Sequence, residues 1–240
     1  MGIWETLALD MDRHRVVALV GAGGKSSTLY ALARQARDAG RTVIITTTTH
    51  ILPHPGLLCT DEADPNRLRA LLERRGVITV GWIGKEGKLT GTEALAPCLA
   101  AADVVVVEAD GARTRPLKVP AAHEPVIPPE ARAVVAVAGM DSVGESIGEV
   151  CHRPELVCAL LHRQLTDLIT PWDVAEILAS PQGGRKGVAE EMAFRCLLNK
   201  TEEPQRADYA RQIRALLAQQ GIQSAITYYT EEERGGRCLF

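Results

Sequence analysis

The sequence is poor in aromatic residues, has no excess of basic charge and has no long apolar run. Aromatic residues make up 4% of the 240 residues, so the core has to be built from Val, Leu, Ile and Ala. The formal net charge is −3, which argues against nucleic acid as the main partner because duplex-binding proteins are usually basic. No apolar stretch reaches the ~18 residues that span a bilayer. We therefore expect no membrane segment.

The sequence also lacks the patterns expected of disulfide pairs and of a secretory leader. The six cysteines are scattered and none forms a CxxC pair, which indicates reduced thiols rather than a disulfide framework. Glu5, Asp10 and Asp12 interrupt the apolar residues near the N-terminus, which is not the pattern of a signal peptide. We therefore expect a cytoplasmic protein.

Cysteine and histidine do occur at one spacing that a metal could use. Cys158 and His162 stand four residues apart, close to Cys151 and His152, and such pairs on a helix are known metal ligands. A helix with a buried cysteine and an exposed histidine explains the same pattern more simply.

The chain contains an alternation of apolar strands and amphipathic helices. Apolar runs predict strands at residues 16–20, 43–45, 77–83, 104–107, 133–138, 194–198 and 223–229. Helical spacing of apolar residues predicts helices at 25–39, 64–74, 92–102 and 204–220. Three glycines at 84–91 indicate a turn or a hairpin.

This order of elements predicts the fold class. Repeated β-α-β units require right-handed crossovers and a mostly parallel sheet, and the four valines at 104–107 suit a central strand covered on both faces. We expect an α/β protein with a P-loop NTPase-like three-layer fold. Residues 1–240 would form a single nucleotide-binding domain, with room for a small helical insertion at about 150–185.

One segment has the composition of a phosphate loop. Residues 21–27 (GAGGKSS) follow a predicted strand and open a predicted helix, the context that such a loop requires. In such a loop the backbone N–H groups and the helix N-terminus attract phosphate oxygens, Lys25 reaches the terminal phosphates and the Ser26 hydroxyl ligates Mg²⁺. We assign nucleotide binding to Gly21, Ala22, Gly23, Gly24, Lys25, Ser26 and Ser27.

The spacing of this loop departs from the commonest form. The motif G-x-x-x-x-G-K-[ST] would place a glycine where the chain has Leu19. The match is to the shorter G-x-x-G-K-[ST]-[ST] loop, which resembles that of the Mur ligases. A glycine-rich turn with an exposed lysine is the alternative interpretation.

Carboxylates and threonines follow the strands next to this loop. Glu108 and Asp110 come directly after the valine strand, and the carboxyl ends of parallel strands share one crevice. A carboxylate there holds Mg²⁺ or orients an attacking water. We assign catalysis to Lys25, Glu108 and Asp110 and metal binding to Ser26, Thr47 and Glu108. Asp110 in a plain turn and Thr47 as an ordinary strand residue are the alternatives.

A basic segment follows the carboxylates. Arg113, Arg115 and Lys118 would bind a phosphate or another anionic substrate or partner, and His123 and Glu124 suit acid–base chemistry. A solvated loop stiffened by prolines would carry the same residues, so both interpretations stay open.

A second nucleotide signal lies late in the chain. Asn199 and Lys200 follow a predicted strand and resemble the start of the N-K-x-D motif with which GTPases read guanine, with Glu202 in place of the aspartate. Because glutamate is longer, the motif does not decide between ATP and GTP. A plain strand-to-helix turn is the alternative.

Together these segments resemble the YqeC family. The resemblance rests on the phosphate loop and on residues 45–49 (ITTTT), 108–112 (EADGA), 116–128 (PLKVPAAHEPVIP), 152–154 (HRP) and 198–200 (LNK). It runs in the same order from about residue 15 to 200. It implies an accessory role in the maturation of selenium-dependent molybdenum hydroxylases, with such a client or its cofactor as partner. It implies no particular reaction.

Three functions are consistent with these residues. The first is a Mg²⁺-dependent nucleoside triphosphatase or phosphotransferase that uses ATP or GTP and works by positioning and electrostatics. The second is a nucleotide-gated carrier or scaffold for a cofactor, with little intrinsic hydrolysis. The third is an ATP-dependent ligase, which we rank last because the Mur ligases carry additional domains.

Overall fold

The computed structural model describes residues 2–84, 87–92 and 94–230. Cys238 and parts of the predicted 84–91 turn and 92–102 helix lie outside the described residues. The strands are, in chain order, β1 (Val16–Gly21), β2 (Val43–Thr47), β3 (His50–Ile51), β4 (Cys59–Thr60), β5 (Val77–Val80), β6 (Trp82–Ile83), β7 (Leu89–Thr90), β8 (Val104–Glu108), β9 (Leu117–Lys118), β10 (Ala133–Gly139), β11 (Cys151–His152), β12 (Ala193–Asn199) and β13 (Gln223–Ile226). The helices are α1 (Ile3–Thr6), α2 (Lys25–Asp38), α3 (Pro65–Arg75), α4 (Ala96–Ala101), α5 (Ile147–Val150), α6 (Pro154–Leu161), α7 (Pro171–Ala179) and α8 (Pro204–Gln219), with a 3-10 turn at Met140–Ser142.

Eight strands form one parallel sheet in the order β13-β12-β10-β1-β8-β2-β5-β4. β1 lies between β8 and β10, with Leu19 in register with Glu108 on one side and Val135 on the other. The carboxyl ends of β1, β8, β10 and β12 therefore meet at one edge of the sheet. The predicted mostly parallel α/β fold is confirmed.

The sheet is covered on both faces, which gives three layers. Successive β1 residues enter opposite hydrophobic clusters, with Val16, Ala18 and Val20 on one face and Val17 and Leu19 on the other. This alternation follows from the two-residue period of a strand. Helices α1 and α2 cover the second face, and α3, α4 and α6–α8 cover the first. All four valines of β8 are at most 1% exposed, as expected of a central strand.

The extended stretch predicted at 77–83 is two strands. Gly81 separates them at φ +152°, and a Cβ there would lie 2.4 Å from Thr90 O. β6 consequently leaves the main sheet and pairs antiparallel with β7, which also pairs with β3. The indicated hairpin is therefore present. The last strand ends at Ile226, earlier than predicted, and α4 begins at Ala96.

Residues 147–179 contribute three short helices. Val157, Val174 and Ile177 from this segment belong to the same hydrophobic cluster as one face of the sheet. β11 precedes α6 and pairs in parallel with β9, outside the main sheet. None of the helices in the described ranges is long and apolar enough to cross a membrane.

Candidate functional site

A cleft of about 720 Å³ opens at the carboxyl edge of the sheet. Its walls are formed by residues 23–27, 49–52, 111–115 and 152–153, together with Lys88, Glu108, Glu124 and Lys200. This volume lies within the range of roughly 300–1,000 Å³ that is usual for small-molecule sites.

The loop from β1 into α2 turns sharply because it contains three glycines with positive φ. The φ angles are +90° at Gly21, +82° at Gly23 and +127° at Gly24, values that residues with a Cβ rarely adopt. A Cβ on Gly23 would lie 2.2 Å from the backbone nitrogen of Gly139, and one on Gly24 would lie 2.1 Å from Asn199 Nδ2. Backbone conformation and close contact with the ends of β10 and β12 both require glycine here.

The unused N–H groups of this segment lie at the start of α2. The N–H groups of Gly21, Ala22 and Gly23 donate to acceptors inside the protein at 3.0, 2.9 and 3.1 Å. The N–H groups of residues 24–27 make no hydrogen bond within the described part of the chain. Because the first N–H groups of a helix lack intrahelical acceptors and carry partial positive charge, they attract an anion. The first three residues thus fix the loop, and the next four offer donors.

Lys25 and Ser26 meet Glu108 across the neighbouring ends of β1 and β8. Lys25 Nζ is buried; it donates to Gly21 O at 2.8 Å and lies 3.8 Å from Glu108 Oε1. Ser26 Oγ donates to Glu108 Oε2 at 3.2 Å. Burial raises the pKa of Glu108; attraction to Lys25 opposes this rise and repulsion from Asp110 adds to it.

Asp110 is buried behind the loop, which it holds through a hydrogen bond, and it does not line the cleft. It is 1% exposed, and its Oδ2 accepts the Gly21 N–H at 3.0 Å. Its two oxygens lie 3.1 Å from Lys25 Nζ and 3.1 Å from Lys118 Nζ. Lys118 Nζ in turn donates to Glu124 Oε2 at 2.8 Å. A chain of ion pairs therefore runs from the loop lysine to Glu124.

Arg153 extends this chain to the far wall of the cleft. Its two terminal nitrogens donate to Glu124 Oε2 at 2.5 Å and to Oε1 at 3.1 Å. Burial opposes ionisation of Glu124, but the hydrogen bonds from Arg153 and Lys118 outweigh it and lower the pKa to about 2. Glu124 is thus ionised at neutral pH, and both its oxygens are occupied.

The other residues of the basic segment lie in different environments. Arg113 and Arg115 are exposed on the wall of the cleft, whereas Lys118 is buried in the ion-pair chain. His123 is exposed and does not line the cleft. The structure therefore brings Arg113, Arg115 and Glu124 to the cleft and leaves His123 outside it.

Of the threonine hydroxyls at the end of β2, only some are placed where they could ligate a hard cation such as Mg²⁺. Thr47 is buried, and its hydroxyl donates to Glu108 O at 2.7 Å. Thr49, whose hydroxyl lies 3.1 Å from that of Thr47, lines the cleft instead. Ser26 and Glu108 supply a hydroxyl and a carboxylate 3.2 Å apart on the cleft wall, which fits Mg²⁺, since this ion takes one or two carboxylates plus substrate phosphates.

The late Asn-Lys pair lies beside the glycine-rich loop. Asn199 is buried, and its Nδ2 donates to Gly23 O at 2.8 Å. Lys200 lines the cleft and pairs with Asp141 at 2.5 Å. Glu202 is exposed, pairs with Arg206 at 3.9 Å and does not line the cleft. The structure brings Asn199 and Lys200 to the site but not Glu202.

The cysteine and histidine residues of the helical segment do not converge. Cys151 is buried, Cys158 is half-buried and His162 is exposed. Across the described ranges, no three His, Cys, Asp or Glu side chains are grouped so that they could hold a metal ion.

The sequence pattern predicts no cleft role for His152 or Arg153, whereas Thr49 belongs to the threonine run at the end of β2 that the pattern already indicates as a source of Mg²⁺ or phosphate ligands. His152 reaches the cleft because β11 pairs with β9, which places it opposite Lys118. Burial lowers the pKa of His152, and the charges of Arg153 and Lys118 lower it further. The HRP segment at 152–154 is the sequence signal that includes His152 and Arg153.

The fold and this site define a class: three-layer α/β proteins of P-loop-like architecture with a glycine-rich loop at the carboxyl edge of the sheet. Comparison with known proteins then places the chain. The family model "YqeC protein" matches residues 17–155. The "Uncharacterized protein YqeC" of Escherichia coli (strain K12) is 34% identical, over 74% of this chain and 73% of its own length. The chain belongs to the YqeC family.

Proposed function

We propose that this protein is a Mg²⁺-dependent nucleoside-triphosphate-binding protein, and specifically a nucleoside triphosphatase. The observation that carries the proposal is the convergence of Lys25, Ser26 and Glu108 beside the unused N–H groups of residues 24–27. Four amides, an ammonium group, a hydroxyl and a carboxylate at a helix N-terminus are the groups that triphosphate chemistry uses.

In this proposal each residue has a role that follows from its position in the cleft. Residues 24–27 would bind the phosphates through their amides, and Lys25 would move from Gly21 O towards the terminal phosphates. Ser26 and Glu108 would hold Mg²⁺, which when bound neutralises charge on the phosphates. Asp110, which is buried below the loop, would keep Lys25 and the Gly21 N–H in place. Glu108 is then the carboxylate that faces the cleft and can orient a water.

The client is proposed from the family. The resemblance to the YqeC family supports an accessory role in the maturation of selenium-dependent molybdenum hydroxylases. Hydrolysis would then drive or time the delivery of a cofactor to the client. A nucleotide-gated carrier with little hydrolysis uses the same contacts and differs in turnover alone.

The decisive experiment is a calorimetric titration with ATP and with GTP, each with and without Mg²⁺. We expect binding that depends on Mg²⁺, and loss of that binding in Lys25→Ala. Lys186→Ala is the matched control, because Lys186 Nζ also donates to a backbone carbonyl, Ala121 O at 2.5 Å, but outside the cleft. Unchanged binding by Lys25→Ala would contradict the proposal.

A second variant guards against misfolding of the first. Ser26→Ala removes one hydroxyl from an exposed residue and leaves the buried ion pairs intact. We expect it to weaken binding in the presence of Mg²⁺ and to leave the Mg²⁺-free titration unchanged. Phosphate release without any partner then distinguishes a triphosphatase from a carrier, and ADP formation only with an added carboxylate and amine would indicate a ligase.

A further inference from the structure

Residues 113–115 and 152–153 form a wall of the cleft that is joined directly to the phosphate loop. Gly23 N–H donates to Arg115 O at 3.1 Å, and the parallel pair of β9 and β11 sets His152 against Lys118. Two segments that are far apart in the sequence, 113–115 and 152–153, are thereby brought to the same side of the cleft.

This wall carries more positive charge than its own carboxylate balances. Lys118 is balanced by Asp110 at 3.1 Å and by Glu124 at 2.8 Å, and Glu124 also pairs with Arg153 at 2.5 Å. The guanidinium groups of Arg113 and Arg115 make no ion pair or hydrogen bond with the described residues around them. The positive charges of Arg153, Lys118 and Arg113 all act on His152. The wall is therefore electropositive, with a half-buried imidazole in its middle.

The backbone of the same wall is held in an unfavourable conformation. Arg113, Thr114 and Arg153 have φ angles of +46°, +63° and +58°, and Lys200, which also lines the cleft, has +65°. Among the described residues other than glycine, six have positive φ, and these four lie at one cleft. Such conformations persist where surrounding structure enforces them and are concentrated at ligand sites. Three of the four present a basic side chain.

The triphosphate has a separate set of donors. The amides of residues 24–27 offer hydrogen bonds to the phosphates, and the Lys25 ammonium offers a positive charge. None of these groups belongs to the 113–115 or 152–153 segments. The basic wall is additional to this set. Arginine's planar fork matches a tetrahedral oxyanion through two parallel hydrogen bonds. The forks of Arg113 and Arg115 make no such bonds with the described residues, whereas Glu124 holds the two terminal nitrogens of Arg153 and fixes its orientation.

We infer that Arg113, Arg115, His152 and Arg153 form a second anion subsite, which takes a small molecule that carries a phosphate or a similar tetrahedral oxyanion. The inference rests on the proposed function, because it places this molecule beside the bound triphosphate in one cleft. The volume of about 720 Å³ and its continuity with the phosphate loop favour a small molecule. The protein would then act on two anionic ligands together.

The test is a titration of protein saturated with Mg²⁺ and a non-hydrolysable ATP analogue, so that the phosphate loop is occupied. Inorganic phosphate is added in one series and glycerol 3-phosphate in another, to distinguish a free oxyanion from a phosphate ester. We expect one further site, and the double variant Arg113→Ala/Arg115→Ala should bind the anion about tenfold or more weakly. Its affinity for the nucleotide analogue should change by no more than about twofold.

The chain offers a matched control pair. Arg74 and Arg75 are exposed, adjacent in the sequence and outside the cleft, so Arg74→Ala/Arg75→Ala makes the same change of charge. This control should bind both ligands like the wild type. An equal loss of anion binding in the control would overturn the subsite, because it would show a general charge effect.

Failure of the inference differs from failure of the proposed function. If the analogue binds and neither phosphate compound does, the subsite is wrong and the nucleotide site stands. If Arg113→Ala/Arg115→Ala weakens analogue binding as much as anion binding, both arginines belong to the nucleotide site and the subsite is wrong. If the analogue does not bind at all, the proposed function falls. Phosphate is then titrated into free protein, where dependence on Arg113 and Arg115 supports the subsite and dependence on Lys25 overturns it.

Discussion

The buried side chain of Lys25 lies close to two carboxylates. An ammonium group removed from water needs an opposite charge nearby, and Asp110 at 3.1 Å and Glu108 at 3.8 Å provide it. Lys118 shares Asp110 at 3.1 Å, so Asp110 keeps one partner when Lys25 moves. A phosphate group in the cleft can therefore attract the Lys25 side chain without leaving Asp110 unpaired.

Glu108 is the carboxylate whose charge should matter for turnover. Glu108→Gln keeps the size of the side chain and an acceptor for the Ser26 hydroxyl, but it removes the charge beside the phosphates. We expect binding without Mg²⁺ to be unchanged or tighter, because repulsion is lost, and binding with Mg²⁺ to weaken. Hydrolysis should fall by about 100-fold or more. Calorimetry with and without Mg²⁺ and steady-state phosphate release measure the two effects.

A surface control shows whether the effect is specific. Glu190 is exposed and lines a separate depression that includes Arg13 and Arg132. Glu190→Gln removes the same charge far from the cleft and should leave both measurements unchanged. Wild-type turnover in Glu108→Gln would remove Glu108 from the mechanism.

At the scale of the element, the phosphate loop is constrained by packing as well as by conformation. Gly23 and Gly40 have nearly equal φ angles, +82° and +80°, so alanine costs about 1–2 kcal/mol at either position from conformation. A Cβ on Gly40 meets nothing within 4 Å, whereas one on Gly23 meets the Gly139 backbone at 2.2 Å. Overpacking adds about 1–3 kcal/mol.

We therefore expect Gly23→Ala to lower the free energy of unfolding by about 1–3 kcal/mol more than Gly40→Ala does, because only Gly23→Ala also overpacks the structure. Gly23→Ala should also lose nucleotide binding, because the loop has to move away from β10, and Gly40→Ala should keep it. Urea unfolding and calorimetry on both variants check this. Equal destabilisation would mean that the loop adapts freely and that its contact with β10 does not fix its shape.

Much of this element could be predicted from local pattern. The strand, the glycine loop and the helix that begins at Lys25 are adjacent in the sequence, and each follows from apolar periodicity and glycine position. Glu108 follows from the valine strand in the same way. The position of Asp110 below the loop could not be predicted, because it depends on ion pairs with Lys25 and Lys118.

The far wall of the cleft depends on contacts that leave almost no local signal. β9 and β11 are two residues long each, too short for a periodic pattern, and they pair across more than thirty residues. Their pairing carries His152 and Arg153 to the cleft. His123, the residue before Glu124, lies in the turn that Glu124 N–H closes with Ala121 O at 3.0 Å, and it is exposed outside the cleft.

At the scale of the whole molecule, the helical segment at 147–179 and the sheet share one hydrophobic cluster. Val157, Val174 and Ile177 pack in the cluster that contains Val134 and Ala136 of β10. The β11 strand in this segment also forms one wall of the cleft. Separate unfolding of the segment would expose this cluster to water, so we expect it to unfold together with the sheet.

The three tryptophans of the chain make it possible to measure whether residues 147–179 unfold together with the sheet. Trp4 is 3% exposed and donates to Leu32 O at 2.9 Å on the opposite face of the sheet, Trp172 lies in α7 of the helical segment, and Trp82 lies on the hairpin. Trp82→Phe combined with Trp172→Phe leaves Trp4 as the probe, and Trp4→Phe combined with Trp82→Phe leaves Trp172. Far-UV circular dichroism reports on all elements in each variant.

We expect fluorescence and circular dichroism to give the same midpoint in urea for each variant, within about 0.2 M, because a cooperative domain unfolds in one transition. Because fluorescence and circular dichroism are compared on the same variant, the effect of its substitutions on stability cancels. Residues 147–179 would unfold as a separate unit if the Trp172 fluorescence midpoint lay below the circular dichroism midpoint while the two midpoints coincided in the variant that keeps Trp4. Added Mg²⁺ and nucleotide at 100 times the dissociation constant should raise the stability seen by both probes by about 2.7 kcal/mol, since the ligand contacts a cleft that both parts of the molecule build.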